Sequence, residues 1–182
     1  MKHIIAFAGS NSQNSINKKL VEYTAKLVST SEIEVQILDL NDFEMPLYGI
    51  DLESRDGHPD SATNLFNHIQ NADGIILSLA EHNGAYTAVF KNAFDWMSRI
   101  SHKTFGHKPL LLMSASTGGR GGASVLAMAK ERFPRHETNI LADFSLPLFE
   151  THFKDGEISD ETLKTELLTK VELFKNEIIY GS

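Results

Sequence analysis

The 182-residue chain contains no cysteine. Disulfide scaffolds, thiolate zinc sites, iron-sulfur clusters and dithiol redox couples are therefore excluded, and any redox chemistry has to come from a bound cofactor. Long apolar runs are missing too: none approaches the ~20 residues of a membrane span. The opening MKHIIAFAGS reaches polar residues too soon for a signal-peptide core. A cytoplasmic protein without membrane insertion is expected. Positive charge is in deficit, 17 Lys and Arg against 24 Asp and Glu for a net charge of -7. Such a surface does not gather nucleic acid through phosphate contacts, so no nucleic-acid partner is expected. The G-x-x-x-x-G-K-[ST] and G-x-G-x-x-G nucleotide loops, the G-x-S-x-G elbow and the H-E-x-x-H zinc motif are all lacking.

What is present is an ordinary globular composition, 41% hydrophobic and 23% charged, on a length that suits one domain over 1-182. Five short apolar runs, at 4-8, 33-40, 74-80, 109-116 and 137-146, alternate with helical patterns at 17-29, 61-71, 87-100, 123-133 and 160-180. Strict β-α alternation predicts an α/β fold, a three-layer α/β/α sandwich on a five-stranded parallel sheet, for which 2-1-3-4-5 is the common strand order. The second and fifth runs alternate polar and apolar residues, which suits sheet edges. Segment 41-59 reads as an irregular connection long enough to wall a pocket. In the last helix Leu163, Leu167, Val171, Phe174 and Ile178 form a packing stripe, and Ser159 is the expected N-cap.

In such a sheet, ligands bind beyond the carboxyl ends of the strands, where strand order reverses, so the loops after strands 1, 3 and 4 carry the candidate chemistry. GSNSQNSIN (9-17) offers Ser10, Ser12, Ser15, Ile16 and Asn17 at a helix N-terminus, suited to a phosphate dianion. A plain serine-capped turn would read the same way. AEHNGAY (80-86) places Ala80, Glu81, His82, Asn83 and Gly84 in the same crevice, with Asn83-Gly84 also a common turn dipeptide. SASTGGRGGAS (114-124) adds Ser116, Thr117 and Gly118 on a glycine-rich loop that lets backbone approach a flat ligand, or that simply makes turns. A phosphate tail at the first loop and a planar ring between the other two would match flavin mononucleotide (FMN).

At these residues the chain resembles the NADPH-dependent FMN reductase family, the flavodoxin-like group that includes quinone, chromate and azo-dye reductases. The resemblance spans nearly the whole chain. The family's G-S-x-R-x-x-S-x-N is matched by Gly9, Ser10, Ser12, Ser15 and Asn17. Its P-E-Y-N-G-S-Y is matched at 80-86, its L-K-N-A-I-D-W at 90-96, and its G-G-x-G-G at 118-122. Three positions depart: Ser12 stands where the family has arginine, Ala80 where it has proline and His82 where it has tyrosine. The resemblance implies a flavodoxin-like fold, FMN held by the three loops, NADPH or NADH as electron donor, and a small acceptor such as a quinone. The flavin carries the chemistry, so no catalytic side chain and no metal site is named. A flavodoxin-like electron carrier, or a family relative with weakened FMN binding that acts as a sensor, fits the same motifs.

The resemblance also implies a homo-oligomer, dimer or tetramer. On helix 87-100 the apolar residues Val89, Phe90, Ala93, Phe94, Trp96, Met97 and Ile100 cover roughly 160° at about 100° per residue, wider than the stripe of about 100° that one sheet contact needs. Trp96 and Met97 are the residues expected to be exposed at a subunit contact; the alternative is a helix buried more deeply within the monomer under the 41-59 loop.

Overall fold

The computed structural model describes residues 1-181. Five parallel strands form the central sheet: β1 (Lys2–Gly9), β2 (Ile33–Leu38), β3 (Gly74–Leu79), β4 (Pro109–Ala115) and β5 (Asn139–Leu146). Their order is β2-β1-β3-β4-β5, the 2-1-3-4-5 arrangement expected from the sequence. Every residue of β3 is buried, as befits a strand covered on both faces, while the edge strands β2 and β5 are only half-buried.

Alternation along β1 sorts the core into two layers. Ile5 and Phe7 pack with α3 (Asp60–Asn71), α4 (Ala88–Ile100) and α5 (Ala123–Arg132) on one face. Ile4, Ala6 and Ala8 pack with α1 (Ile16–Val28) and α6 (Glu161–Tyr180) on the other. The stripe on α6 is as expected, with Leu167, Val171, Phe174 and Ile178 buried. Its N-cap, however, is Asp160 and not Ser159: the Asp160 carboxylate accepts Leu163 N–H at 2.9 Å. A charged acceptor at a helix N-terminus outcompetes a neutral hydroxyl one residue earlier.

Segment 41-59 is more ordered than its composition suggested, because it contains α2 (Ile50–Asp56) and docks on α4. Trp96 Nε1–H donates to Pro46 O at 2.7 Å, Tyr48 N–H donates to Asn92 Oδ1 at 2.8 Å, and the Tyr48 and Trp96 rings meet edge-on at 5.1 Å. Arg99 closes the strap with Glu53 at 3.0 Å. The expectation that Trp96 and Met97 lie exposed is therefore corrected: both are 0% exposed. Removing the roughly 150–250 Å² of a Trp side chain from water contributes ~4–6 kcal/mol at about 25 cal/mol per Å², and the strap secures that gain within one chain. The apolar excess of α4 is a second intramolecular contact.

Candidate functional site

The ends of β1, β3 and β4 open into a cleft of about 260 Å³. Ten of the thirteen residues singled out from the sequence line it: Ser10, Ser12, Ser15, Ile16 and Asn17 from the first loop, Ala80, Glu81 and His82 from the second, Ser116 and Thr117 from the third. Asn83, Gly84 and Gly118 belong to the same loops and lie outside the lining. Asn14 and Ala115 line it as well and were missed. Ala115 ends a buried strand and has no polar group to signal it.

The first loop is built as an anion seat. Ser15 caps α1, its hydroxyl oxygen accepting Lys18 N–H at 3.2 Å, which leaves its own proton free to donate. The N–H groups of Ile16 and Asn17 are in the first turn and have no carbonyl of their own helix to meet. That turn carries no acidic residue to repel an anion. Lys18 points away, paired with Asp39 at 2.5 Å; that hydrogen bond raises the lysine pKa and lowers the aspartate's.

Asn17 is a staple, a role its place in the motif does not disclose. Only 2% exposed, its Oδ1 accepts Ala115 N–H at 2.8 Å and the Ser78 hydroxyl at 2.7 Å, while its Nδ2 donates to Ala115 O at 3.1 Å. The side chain ties the start of α1 to β3 and β4, so this lining residue sits at a point of the first loop that is fixed to two strands. Thr87 does related work: it caps α4 and donates to Gly9 O at 2.8 Å, joining the first and second loops. A threonine just before an apolar helical run was a readable cap signal.

Residues 81-86 are a two-residue hairpin. Glu81 pairs with Tyr86 and His82 with Ala85, and the turn residues Asn83 and Gly84 have φ of 54° and 75°. Positive φ at both is the mirror-image turn that suits the twist of the flanking strands, and Asn-Gly is its preferred sequence. Asn83 and Gly84 thus shape the loop, and His82 stands exposed at its edge. The Glu81 carboxylate reaches across to accept Val125 N–H at 2.9 Å, in the first turn of α5.

That helix needs an outside acceptor, because its own N-cap is Gly122, with φ of 78° and no side chain. A Cβ on Gly122 would stand 2.7 Å from Ser114 Oγ, and one on Gly121 would collide with Ser145 Oγ. Both glycines are fixed by backbone and packing. Gly118 and Gly119 differ, with no positive φ and almost nothing near a built Cβ. Their smallness serves no contact inside the chain and leaves open backbone beside the cleft.

Residues 2-157 match the family described as NADPH-dependent FMN reductase. The chain belongs to that family. Over 120 residues it is 31% identical to a quinone reductase of Escherichia coli K12, covering 66% of this chain and 63% of that protein, so it spans less than two thirds of that relative's length. Over 130 residues it is 28% identical to an NADPH azoreductase of Bacillus sp. OY1-2, covering 71% of this chain and 70% of the other. Among solved structures it resembles FerB, a flavoenzyme NAD(P)H:(acceptor) oxidoreductase from Paracoccus denitrificans, with 27% identity, a TM-score of 0.75 and 98% of each chain covered. The fold is flavodoxin-like. Among the described residues no helix is long and apolar enough to cross a membrane.

Proposed function

We propose that the chain is an FMN-dependent NAD(P)H oxidoreductase that passes electrons from NADH or NADPH to a small acceptor such as a quinone. The observation that carries this reading is the convergence of the three motif loops on one cleft at the strand-order reversal. The residues fit the cofactor. Ser10, Ser12 and Ser15 with the N–H groups of Ile16 and Asn17 would hold the phosphate at the positive end of α1. Ala80, Glu81, His82, Asn83 and Gly84 would border one edge of the ring, and Ser116, Thr117 and Gly118 the other. When bound, FMN supplies the hydride and electron transfer.

The chain's own task is positioning. Asn17 and Thr87 fix the first loop against β3, β4 and α4, and Glu81 fixes the hairpin against α5, so the ring's two borders hold a constant separation. The family relatives named above, quinone and azo reductases, support a planar conjugated acceptor. Anaerobic mixing of the FMN-loaded protein with NADH or NADPH should bleach the flavin band, and 1,4-benzoquinone should restore it. A band that neither nucleotide bleaches would contradict the reading.

The homo-oligomer, a dimer or tetramer, belongs to the same proposal, with its contact moved off Trp96 and Met97. Leu47 and Ile50 are 81% and 65% exposed on the strap that covers α4, and neighbouring exposed apolar side chains favour association. Sedimentation should show an oligomer that Leu47→Lys with Ile50→Lys shifts toward monomer. A wild-type monomer at micromolar concentration would refute it.

A further inference from the structure

A phosphate monoester such as that of FMN carries a charge of about -1.5 to -2 near neutral pH. The motif cleft at the ends of β1, β3 and β4 offers it no fixed positive side chain: among the described residues its lining holds no lysine or arginine. Ser12 stands where the family has arginine, and Lys18 is turned away in its pair with Asp39. Two titratable side chains line the cleft, Glu81 and His82. A carboxylate supplies no positive charge, which leaves the imidazole of His82.

Alternation along the chain gives the direction in which His82 is presented. In β3, Ile75, Leu77 and Leu79 pack into the layer of α4 and α5, whereas Ile76 packs into the layer of α1 and the Ser78 hydroxyl donates to Asn17 in the first turn of α1. The hairpin carries the same alternation onward. Glu81 bonds to Val125 of α5, and its cross-strand partner Tyr86 is buried with α4 and α5. His82, one residue on, therefore stands on the α1 side, where the first loop forms the opposite wall of the cleft, and it is exposed there.

Charge acts across a space of this size. The cleft of about 260 Å³ equals a sphere about 8 Å across, no wider than the Debye length of about 8 Å at physiological salt. Imidazole is the side chain whose charge changes between pH 5 and 8. The other charged groups beside the hairpin are Glu81 and Arg120, whose guanidinium donates to Ser124 Oγ at 3.2 Å, past the turn at Gly84. Carboxylates and guanidiniums hold their charges over that range, so these two shift the affinity by a constant amount and add no pH dependence.

We propose that His82 is the switchable cation of the motif cleft, so that FMN binds more tightly while its imidazole is protonated. Resting on the FMN-dependent reading above, this role places at position 82, in a pH-dependent form, the positive charge that position 12 lacks. By linkage, bound FMN favours the protonated imidazole in return.

The test is flavin fluorescence quenching from pH 5.5 to 8.5 on wild type, His82→Gln and His82→Lys. The FMN phosphate itself titrates in this range, but equally for all three proteins, so the quantity read is the ratio of their dissociation constants. His82→Gln should match wild type at pH 8.5 and bind FMN about three- to tenfold more weakly at pH 5.5, the effect of one charge at this distance in a solvated site. His82→Lys should match wild type at pH 5.5 and bind more tightly than wild type at pH 8.5. Riboflavin, which lacks the phosphate, should show no such divergence. In proton NMR the titration midpoint of the His82 ring should move to higher pH when FMN is added. FMN binding with a wild-type to Gln ratio that stays constant with pH, an equal divergence with riboflavin, or an unmoved His82 midpoint would each overturn the role of His82 and leave the oxidoreductase reading standing. Failure of all three proteins to bind FMN would overturn both.

Discussion

The Glu81 carboxylate and the Val125 N–H, 44 positions apart in sequence, meet at 2.9 Å and join the hairpin after β3 to the first turn of α5. The acceptor comes from another loop because Gly122, confined to a left-handed conformation against Ser114, cannot supply one.

Replacing Glu81 by Ala should therefore cost about 0.5–2 kcal/mol, the usual value of an N-terminal cap, while Gln recovers part of it. Urea denaturation of the three proteins checks this. Equal midpoints would show that the contact contributes nothing.

The glycines of the third loop should separate into two kinds. Gly122→Ala places a Cβ 2.7 Å from Ser114 Oγ and 2.8 Å from its Cβ at a positive φ, and should destabilise by ~1–3 kcal/mol or more. Gly119→Ala meets nothing within 4 Å, so its melting temperature should hold while FMN affinity falls. The reverse ranking would mean that the loop's shape is set by something other than these contacts.

This division marks how far the sequence could be read. Three continuous apolar runs, two alternating ones and the period-3.6 patterns identified all five strands and the five long helices, because burial on both faces or on one leaves a local imprint. The three loops were legible through their position at the strand-order reversal. What stayed hidden were partnerships between distant positions. The 41-59 loop was the alternative cover for the 87-100 helix, but nothing near Trp96 announces that Pro46 and Tyr48 are what it meets, so its ring reads as a surplus. Asn17 reads as a ligand residue, and only the fold shows that its amide also bonds to β3 and β4. Helix α2 was missed because none of its residues is buried, leaving no apolar stripe to detect.

His136 gives the pH dependence a sign. Its folded-state pKa lies below the ordinary 6.5, chiefly through burial, so between the two values the unfolded chain binds more protons. Stability from this group is fully present above about pH 6.5 and is lost as pH falls below it toward the folded-state pKa. Urea midpoints of wild type and His136→Phe should converge on acidification from pH 7.5 to 5. Parallel profiles would show that His136 titrates as freely folded as unfolded.

Ser12 stands where the family has arginine, and the first loop places it in the lining of the motif cleft. Ser12→Arg should tighten FMN by roughly tenfold or more, since hydrogen bonds to charged groups contribute about 1.5–3 kcal/mol. Flavin fluorescence quenching measures the dissociation constant. An unchanged value would show that the backbone donors of α1 and the remaining serines already saturate the phosphate.

The central claim is that the cleft at the ends of β1, β3 and β4 holds FMN with its phosphate at the start of α1. A crystal structure of the protein with FMN tests it most directly. The account predicts phosphate oxygens within hydrogen-bond reach of the Ile16 and Asn17 N–H groups and the Ser10 and Ser15 hydroxyls, with the ring between the 80-84 and 116-118 loops. FMN seated elsewhere, or a motif cleft that stays empty at saturating FMN, would contradict it.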